Sequence, residues 1–441
     1  MRYGILFKLA AIGGIVILLM IPLMQIHGLV RERQAARDSA VADIARGTGL
    51  AQVVTGPVLV VPAVRTVRTW VEDAVTRQRR AVDDERHTNY YFLPERLEFN
   101  GELTTEQRRR GIYEARLFRA TNRLSGHFVL PAVPEGPEDN VTVRLGRPWL
   151  AVGMTDIRGI GTGLALRVNG ADTAIESGTA VGFLGAGVHA PLPEGSMGRL
   201  DFELDLPLQG TGQFSVTPVG RETLVSLKSD WPHPSFMGDF LPVTRSVTAS
   251  GFQAQWQTSF FATNLLETVR LCAADATCRQ LTAPTLGVSI IDPVDQYLKT
   301  ERAIKYALLF IALTFAGFLL CEVLKRAAVH PVQYGLVGLA LALFFLLLLS
   351  LAEHVGFGAA YLVSASACVG LLGYYLVHVL RSATRGLGFA GGLALLYALL
   401  YGILSAEDYA LLLGALLLFG VLALFMVLTR RVDWSQHGAA R

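Results

Sequence analysis

The sequence predicts an α+β membrane protein. Six transmembrane helices, one N-terminal and five C-terminal, flank a large extracytoplasmic domain that is mainly antiparallel β and sandwich-like. Three observations lead there: a nearly unbroken apolar block over residues 306–428, a lone apolar run over residues 9–30, and short alternating segments between them, punctuated by glycine and proline. A bilayer core is about 30 Å thick, so a helix needs roughly 20 mainly apolar residues to cross it.

The C-terminal block holds five such runs, at 306–324, 332–351, 356–380, 387–405 and 409–428. Charge marks the breaks and alternates in sign. Lys325 and Arg326 follow the first run, Glu353 and His354 the second, and Arg381 and Arg385 the third. Glu407 and Asp408 follow the fourth, and Arg430 and Arg431 the fifth. Lys and Arg gather on cytoplasmic loops of a threaded bundle, so the basic breaks are expected inside and the acidic ones outside. Five runs in succession argue against the buried core of a soluble protein.

The N-terminal run follows Arg2 and Lys8 and contains Pro22. It is longer than the apolar region of a secretory signal and lacks a clear small-residue cleavage site, which favours an uncleaved anchor. Proline is tolerated in spanning helices. Tracing back from the basic break at 325–326 puts the intervening segment outside and both termini in the cytoplasm. Arg31 and Arg33 then lie on the unexpected side, which long translocated domains permit. The expected domains are an anchor at 1–30, an extracytoplasmic (periplasmic) β-rich domain at 31–303, a five-helix bundle at 304–430 and a cytoplasmic tail at 431–441.

Residues 30–46 read as the anchor helix continuing outward, broken at Gly47, Gly49 and Gly56. Strands are expected at 57–64, 97–103, 112–118, 124–130, 149–154, 164–168, 213–218 and 223–227, with a charged turn at 106–110 and an Arg-rich hairpin or loop at 66–84. The clearest alternation is at 200–208, where Leu200, Phe202, Leu204 and Leu206 face one way and Asp201, Glu203 and Asp205 the other. That is the period of a half-buried antiparallel strand. Phe252, Ala254 and Trp256, alternating with glutamines, give another. Crossover helices are nearly absent, which argues against a parallel α/β sheet.

The chain has 441 residues, 52% of them hydrophobic, and a net charge of +3; its mean hydropathy is +0.42. So small a net charge, without a basic patch interleaved with aromatics, gives no argument for nucleic acid. The glycine-rich strings at 159–163 and 182–187 lack the strand-to-helix setting and following Lys of a phosphate loop, and read as tight turns. No Walker, H-E-x-x-H or G-x-S-x-G motif is present, so neither an enzyme nor a metal or cofactor site is indicated. No charge falls mid-span, which argues against a proton- or ion-driven transporter. Glu322 is expected to snorkel or to pair with Lys325, and His378 to be peripheral.

Two constellations stand out. The string at 230–242 packs three prolines, Asp230, Trp231, His233, Ser235 and Asp239 into one segment. In a functional reading, His233 is a base near Ser235 oriented by an aspartate, or a metal ligand alongside the aspartates. In the plainer reading the segment is a rigid loop packed by its aromatics. These five residues are the binding candidates. Cys272 and Cys278 are expected to lie outside, where they close a small disulfide loop or remain two thiols on a helix-like stretch. Cys321 and Cys368 fall within spans and read as small packing residues.

Several strings resemble the CreD, or cell envelope integrity, family. They are Val-Thr-Gly-Pro-Val-Leu at 54–59, Pro-Leu-Pro-Glu-Gly at 191–195, Asp-Trp-Pro-His-Pro-Ser-Phe at 230–236 and Gly-Asp-Phe-Leu-Pro at 238–242. Others are Ser-Gly-Phe-Gln-Ala-Gln-Trp-Gln at 250–257, Asp-Gln-Tyr at 295–297, Ala-Leu-Thr-Phe at 312–315 and Ala-Glu-His-Val-Gly-Phe at 352–357. The resemblance covers nearly the whole chain. It implies a bacterial inner-membrane protein of the CreBC two-component regulon, tied to envelope integrity and to the stress response against envelope-active agents. It brings no catalytic residue or cofactor, and the cysteine pair is not part of it.

The expected function is therefore non-enzymatic envelope maintenance. The periplasmic β domain would bind an envelope protein or a cell-wall or lipid ligand, with the lipid bilayer as a constant partner. Two rivals are transport of a lipid-like or apolar solute, and an enzyme built on the His233 loop.

Overall fold

The computed structural model describes residues 5–72, 79–130, 141–194, 196, 198–274, 278, 281, 283–290, 296–325, 329–405 and 410–430. Gly195, Asp295, Arg326, Glu407, Asp408, Arg431 and the expected tail at 431–441 lie outside them, as does the side chain of Lys325. The chain divides into two units, one of Met1–Ser39 with Val294–Arg441 and one of Ala40–Pro293. Helix α1 (Ile5–Thr48) enters both and carries Pro22 inside it. At 44 residues it is about 66 Å long, twice what a bilayer core needs.

The unit Ala40–Pro293 is built from two sheets. One has eight strands in the order Thr244–Thr248, Gly251–Ser259, Glu222–Ser229, Arg96–Arg110, Tyr113–Val129, Arg199–Thr211, Ala165–Val168 and Ala171–Thr173. The other has nine, and its path runs Ser235–Gly238, Leu286–Ser289, Gln213–Thr217, Gln52–Glu72, Trp149–Met154, Gly187–Pro191 and Glu176–Ser177. Strands Arg79–Phe92 and Val141–Leu145 also pair with Gln52–Glu72. Among the described residues, pairing is antiparallel except where Gln52–Glu72 meets Gln213–Thr217 and where Arg96–Arg110 meets Glu222–Ser229.

One apolar core draws on both sheets. Leu200, Phe202, Leu204, Leu206 and Leu208 are buried at every second position of Arg199–Thr211, joined by Phe99, Phe118, Phe214, Phe252 and Trp256. The period of two in the sequence is the buried face. After Gly212, which has a φ of +74°, the chain leaves the eight-stranded sheet and enters the nine-stranded one at Gln213.

The charged turn expected at 106–110 is strand instead. Arg96–Arg110 runs on to its last residue, and the chain reverses at Gly111 (φ +63°) and Ile112. Paired charge makes this possible: Arg109 faces Glu114 across the ladder at 2.6 Å, and Glu106 takes Arg108 and Arg119, each at 3.1 Å. Opposite charges across a ladder support pairing on a solvated face. The Arg-rich stretch at 66–84 likewise contributes strand on both sides of a hairpin, with Arg68 bidentate to Asp83 at 2.8 and 3.1 Å. Two short helices, α2 (Phe260–Thr263) and α3 (Leu265–Ala274), follow strand Gly251–Ser259.

The second unit is helical. After α4 (Gln296–Lys305) come α5 (Ala307–Lys325), α6 (Pro331–Val355), α7 (Phe357–Val379), α8 (Ala383–Ser405) and α9 (Ala410–Thr429). Among the described residues, four helices, α1, α6, α7 and α8, are long and apolar enough to cross a membrane, and α4 with α5, bent by 46°, makes a fifth if the pair is one span. α9 adds a shorter apolar stretch, Leu412–Ala423.

Local sequence explains the helix ends. His330 caps α6 by accepting from the Val332 N–H, while the Gln333 side chain accepts from the His330 N–H and Pro331 takes the first turn. The caps satisfy donors that the helix leaves open. Gly356 alone separates α6 from α7 and holds a φ of +77°, which a side chain would strain.

Candidate functional site

The segment at 230–242 is held by backbone contacts. The Asp230 carboxylate accepts the Thr105 N–H at 3.0 and 3.2 Å. Trp231 is buried, its Nε1 donates to the His233 carbonyl at 2.8 Å, and the Arg116 guanidinium stands 4.3 Å from its ring centre. Asp239 makes two bonds with Thr285: its carboxylate accepts the Thr285 N–H at 2.8 Å and its own N–H donates to the Thr285 carbonyl at 2.7 Å. Ser235 opens the strand Ser235–Gly238 opposite Ser289. Phe236 packs edge-on against Phe252 and Trp256, whose Nε1 donates to the Phe240 carbonyl at 3.1 Å.

The structure thus brings Trp231 and His233 together, with rings 5.7 Å apart and nearly perpendicular. Among the described residues, no hydrogen bond joins the His233 ring to Ser235, Asp230 or Asp239. Those carboxylates are turned to N–H groups, which suits a loop locked in one shape. What the lock presents is apolar: Leu241 and Val243 are 73% and 69% exposed. They lead into Thr244–Thr248, an edge strand with every residue exposed.

A polar knot that the sequence reading missed lies where α1 gives way to the first strand. Gln52, fully buried, donates from Nε2 to the carbonyls of Asp156 (2.9 Å) and Gln209 (3.3 Å) and accepts the Asp156 N–H at 3.3 Å. The Asp156 carboxylate accepts the Leu50 N–H at 3.2 Å and both Nε and Nη2 of Arg158 at 2.9 Å. Arg158 in turn donates to the Arg46 carbonyl in the last turn of α1, at 2.9 Å. The bidentate Arg158 guanidinium holds the Asp156 carboxyl below the usual carboxylate range against the opposing effect of burial, with the Arg158 and Leu50 N–H groups adding to it. The only trace in the sequence is the Asp-x-Arg-Gly spacing at 156–159.

In the helical unit, α1 is clipped at two heights. Near its start, Lys8 pairs with Glu322 of α5 and donates to the Val329 carbonyl at 2.8 Å. Glu322 also accepts the Tyr334 hydroxyl at 3.0 Å and the Val329 N–H at 3.3 Å. Farther along, Arg33 stands 3.4 Å from Glu353 of α6, which accepts the Tyr297 hydroxyl of α4 at 3.0 Å. Both carboxylates are largely buried, with side chains 12% and 5% exposed. At 1.5 Å per residue Lys8 and Arg33 lie about 37 Å apart along α1, somewhat more than the thickness of a bilayer core of about 30 Å. Glu322 therefore does more than snorkel, and Arg33, whose charge the expected topology disfavours, has a carboxylate partner. His378 bonds within its own helix, to the Tyr374 carbonyl at 2.9 Å. Cys272 and Cys278 have Cα atoms 5.3 Å apart, inside the range a disulfide requires.

Comparisons with known proteins place the chain in a family of inner membrane proteins. Residues 4–435 match the family described as inner membrane protein CreD. The chain is 39% identical over 436 residues to the inner membrane protein CreD of Escherichia coli (strain K12), covering 98% of this chain and 94% of that protein. The chain belongs to the CreD family of inner membrane proteins.

Proposed function

We propose that this protein maintains the cell envelope without catalysis, within the CreBC response, by binding an envelope protein through its periplasmic β unit. The observation that carries the reading is the open edge Thr244–Thr248 with the exposed Leu241 and Val243 beside it. An unpaired strand edge offers N–H and C=O groups to an added strand. Apolar side chains beside it give such an addition its affinity and selectivity. In this reading Asp230, Trp231, His233, Ser235 and Asp239 form the rigid base of the lip rather than its contact surface. Replacing Val243 and Val247 by Asp should abolish the protein's contribution to tolerance of envelope-active agents, while the amount of folded protein stays within about twofold. Loss of a few apolar anchors commonly suffices to break an interface. Wild-type tolerance in the double variant would sink the edge as a binding site.

The topology proposed is six spans, counting α4 with α5 as one and α9 as another, with both termini cytoplasmic and the β unit periplasmic. The basic residues Lys8, Arg381 and Arg385 at one set of helix ends, and Glu353 at the opposite end of α6, support that orientation. In that compartment the Cys272–Cys278 pair is a disulfide. Reporter cysteines at Ser177 and Ser435, each in a cysteine-free chain, test the map in intact cells. Ser177 should label from outside, and Ser435 only after the membrane is opened. In the natural chain Cys272 and Cys278 should resist alkylation until reduced. Outside labelling of Ser435 with Ser177 shielded would invert the topology and remove the case for the disulfide.

A further inference from the structure

The helical unit holds a groove of about 450 Å³ between α5, α8 and α9, lined by Leu313, Gly317, Leu320, Gly392, Leu396 and Val421 among others. That volume lies within the range of small-molecule sites. The groove exists because side chains are missing: Gly388 and Gly392 stand one turn apart on α8, and a Cβ on either would meet nothing within 4 Å. Thr314 also lines it, but its hydroxyl is used by the Phe310 carbonyl at 2.8 Å. The wall is apolar until its end, where Arg385 closes it.

Arg385 is exposed in the first turn of α8, where a cation opposes the helix dipole, so helix stability does not account for it. Arg381, also exposed, precedes it in the same connection. Among the described residues no carboxylate lies within ion-pair distance of either, and Glu322 is committed to Lys8, Tyr334 and the Val329 N–H. The open N–H groups at the start of α8 add to the positive field at the groove's mouth.

We propose that this groove binds an anionic glycerophospholipid, with an acyl chain along Gly388 and Gly392 and the phosphate at Arg385. A chain-shaped apolar trough ending in an uncompensated cation matches that amphiphile at both ends. A neutral lipid would fill the trough and leave the cation unanswered. A free anion would meet the cation and leave the trough empty.

The test uses the full chain purified in mild detergent and titrated, under native mass spectrometry, with phosphatidylglycerol and phosphatidylethanolamine of identical acyl chains. The wild type should retain phosphatidylglycerol preferentially. Arg385→Ala should reduce that preference about fivefold, the effect of one basic side chain on an anionic headgroup, and Arg385→Lys should keep most of it. Gly392→Leu fills the trough in open space and should lower retention of both lipids with the thermal unfolding midpoint preserved. Equal retention of the two lipids by the wild type would overturn the proposal. So would loss on Arg385→Ala with no effect of Gly392→Leu, because it would mean adhesion to a basic surface without use of the groove.

Discussion

Truncating Glu322 to Ala should destabilise the helical unit by about 3–5 kcal/mol, the cost of breaking a buried pair from one side. The carboxylate has three partners from two other places in the chain: the Lys8 ammonium, the Tyr334 hydroxyl and the Val329 N–H. Its removal leaves the Lys8 charge largely buried beside the Val329 carbonyl alone. Lys8→Met should cost somewhat less, because the carboxylate retains two hydrogen-bond donors. The pair Lys8→Met with Glu322→Gln removes both charges while keeping most of the volume and a polar partner for Tyr334. Replacing both members of a buried ion pair is often close to neutral. The double variant should therefore be more stable than the sum of the singles predicts, by at least about 2 kcal/mol. Reversible unfolding in mixed micelles, read as a double-mutant cycle, measures this. Additive single effects would mean that the two side chains do not interact.

The same logic gives the two clips a role beyond stability. α1 and α5–α6 are far apart in the chain, Lys8 and Glu322 being 314 residues apart. A lone apolar helix has no hydrophobic reason to prefer its neighbours over lipid tails, so specific polar contacts must select the packing. One clip fixes a point on α1; two clips about 37 Å apart fix its height and rotation.

How much of this was legible beforehand follows from the range of each cause. The apolar runs and the alternation over Leu200–Leu208 record one face of one element, so a short window reveals them. The signs of the breaks likewise carry the expected orientation of the hairpins, because topology responds to local Lys and Arg. The ribbon end at 106–110 was misread since its arginines resemble a polar turn until Glu114 and Arg119 of the returning strand are set across from them. The lip residues were picked out by composition, yet whether Asp230 and Asp239 face chemistry or backbone depends on Thr105 and Thr285, which lie 125 and 46 residues away. Arg33 looked misplaced for the same reason: its partner is on another helix.

Replacing Asp156 by Asn should lower the stability of the β unit by about 1.5–3 kcal/mol at neutral pH, the range for hydrogen bonds to a charged group. It should also change how that stability depends on acid. In the folded protein Arg158 holds the Asp156 carboxyl below its ordinary value, so the folded form binds the proton less readily than the unfolded chain does. The stabilisation is then present in full above the carboxylate range of an unfolded chain, roughly pH 4. It fades as the pH falls from there through the depressed folded value. Wild-type unfolding midpoints should accordingly be flat with respect to this group between pH 5 and 8 and drop below about pH 4. The Asn variant should start lower and lose less. Because Asp156 joins the Leu50 N–H, Gln52 and, through Arg158, the last turn of α1, the loss should appear first as faster amide exchange around residues 46–52. An Asn variant whose acid limb matches the wild type would show that the carboxylate's charge has no part in holding the end of α1 to the first strand.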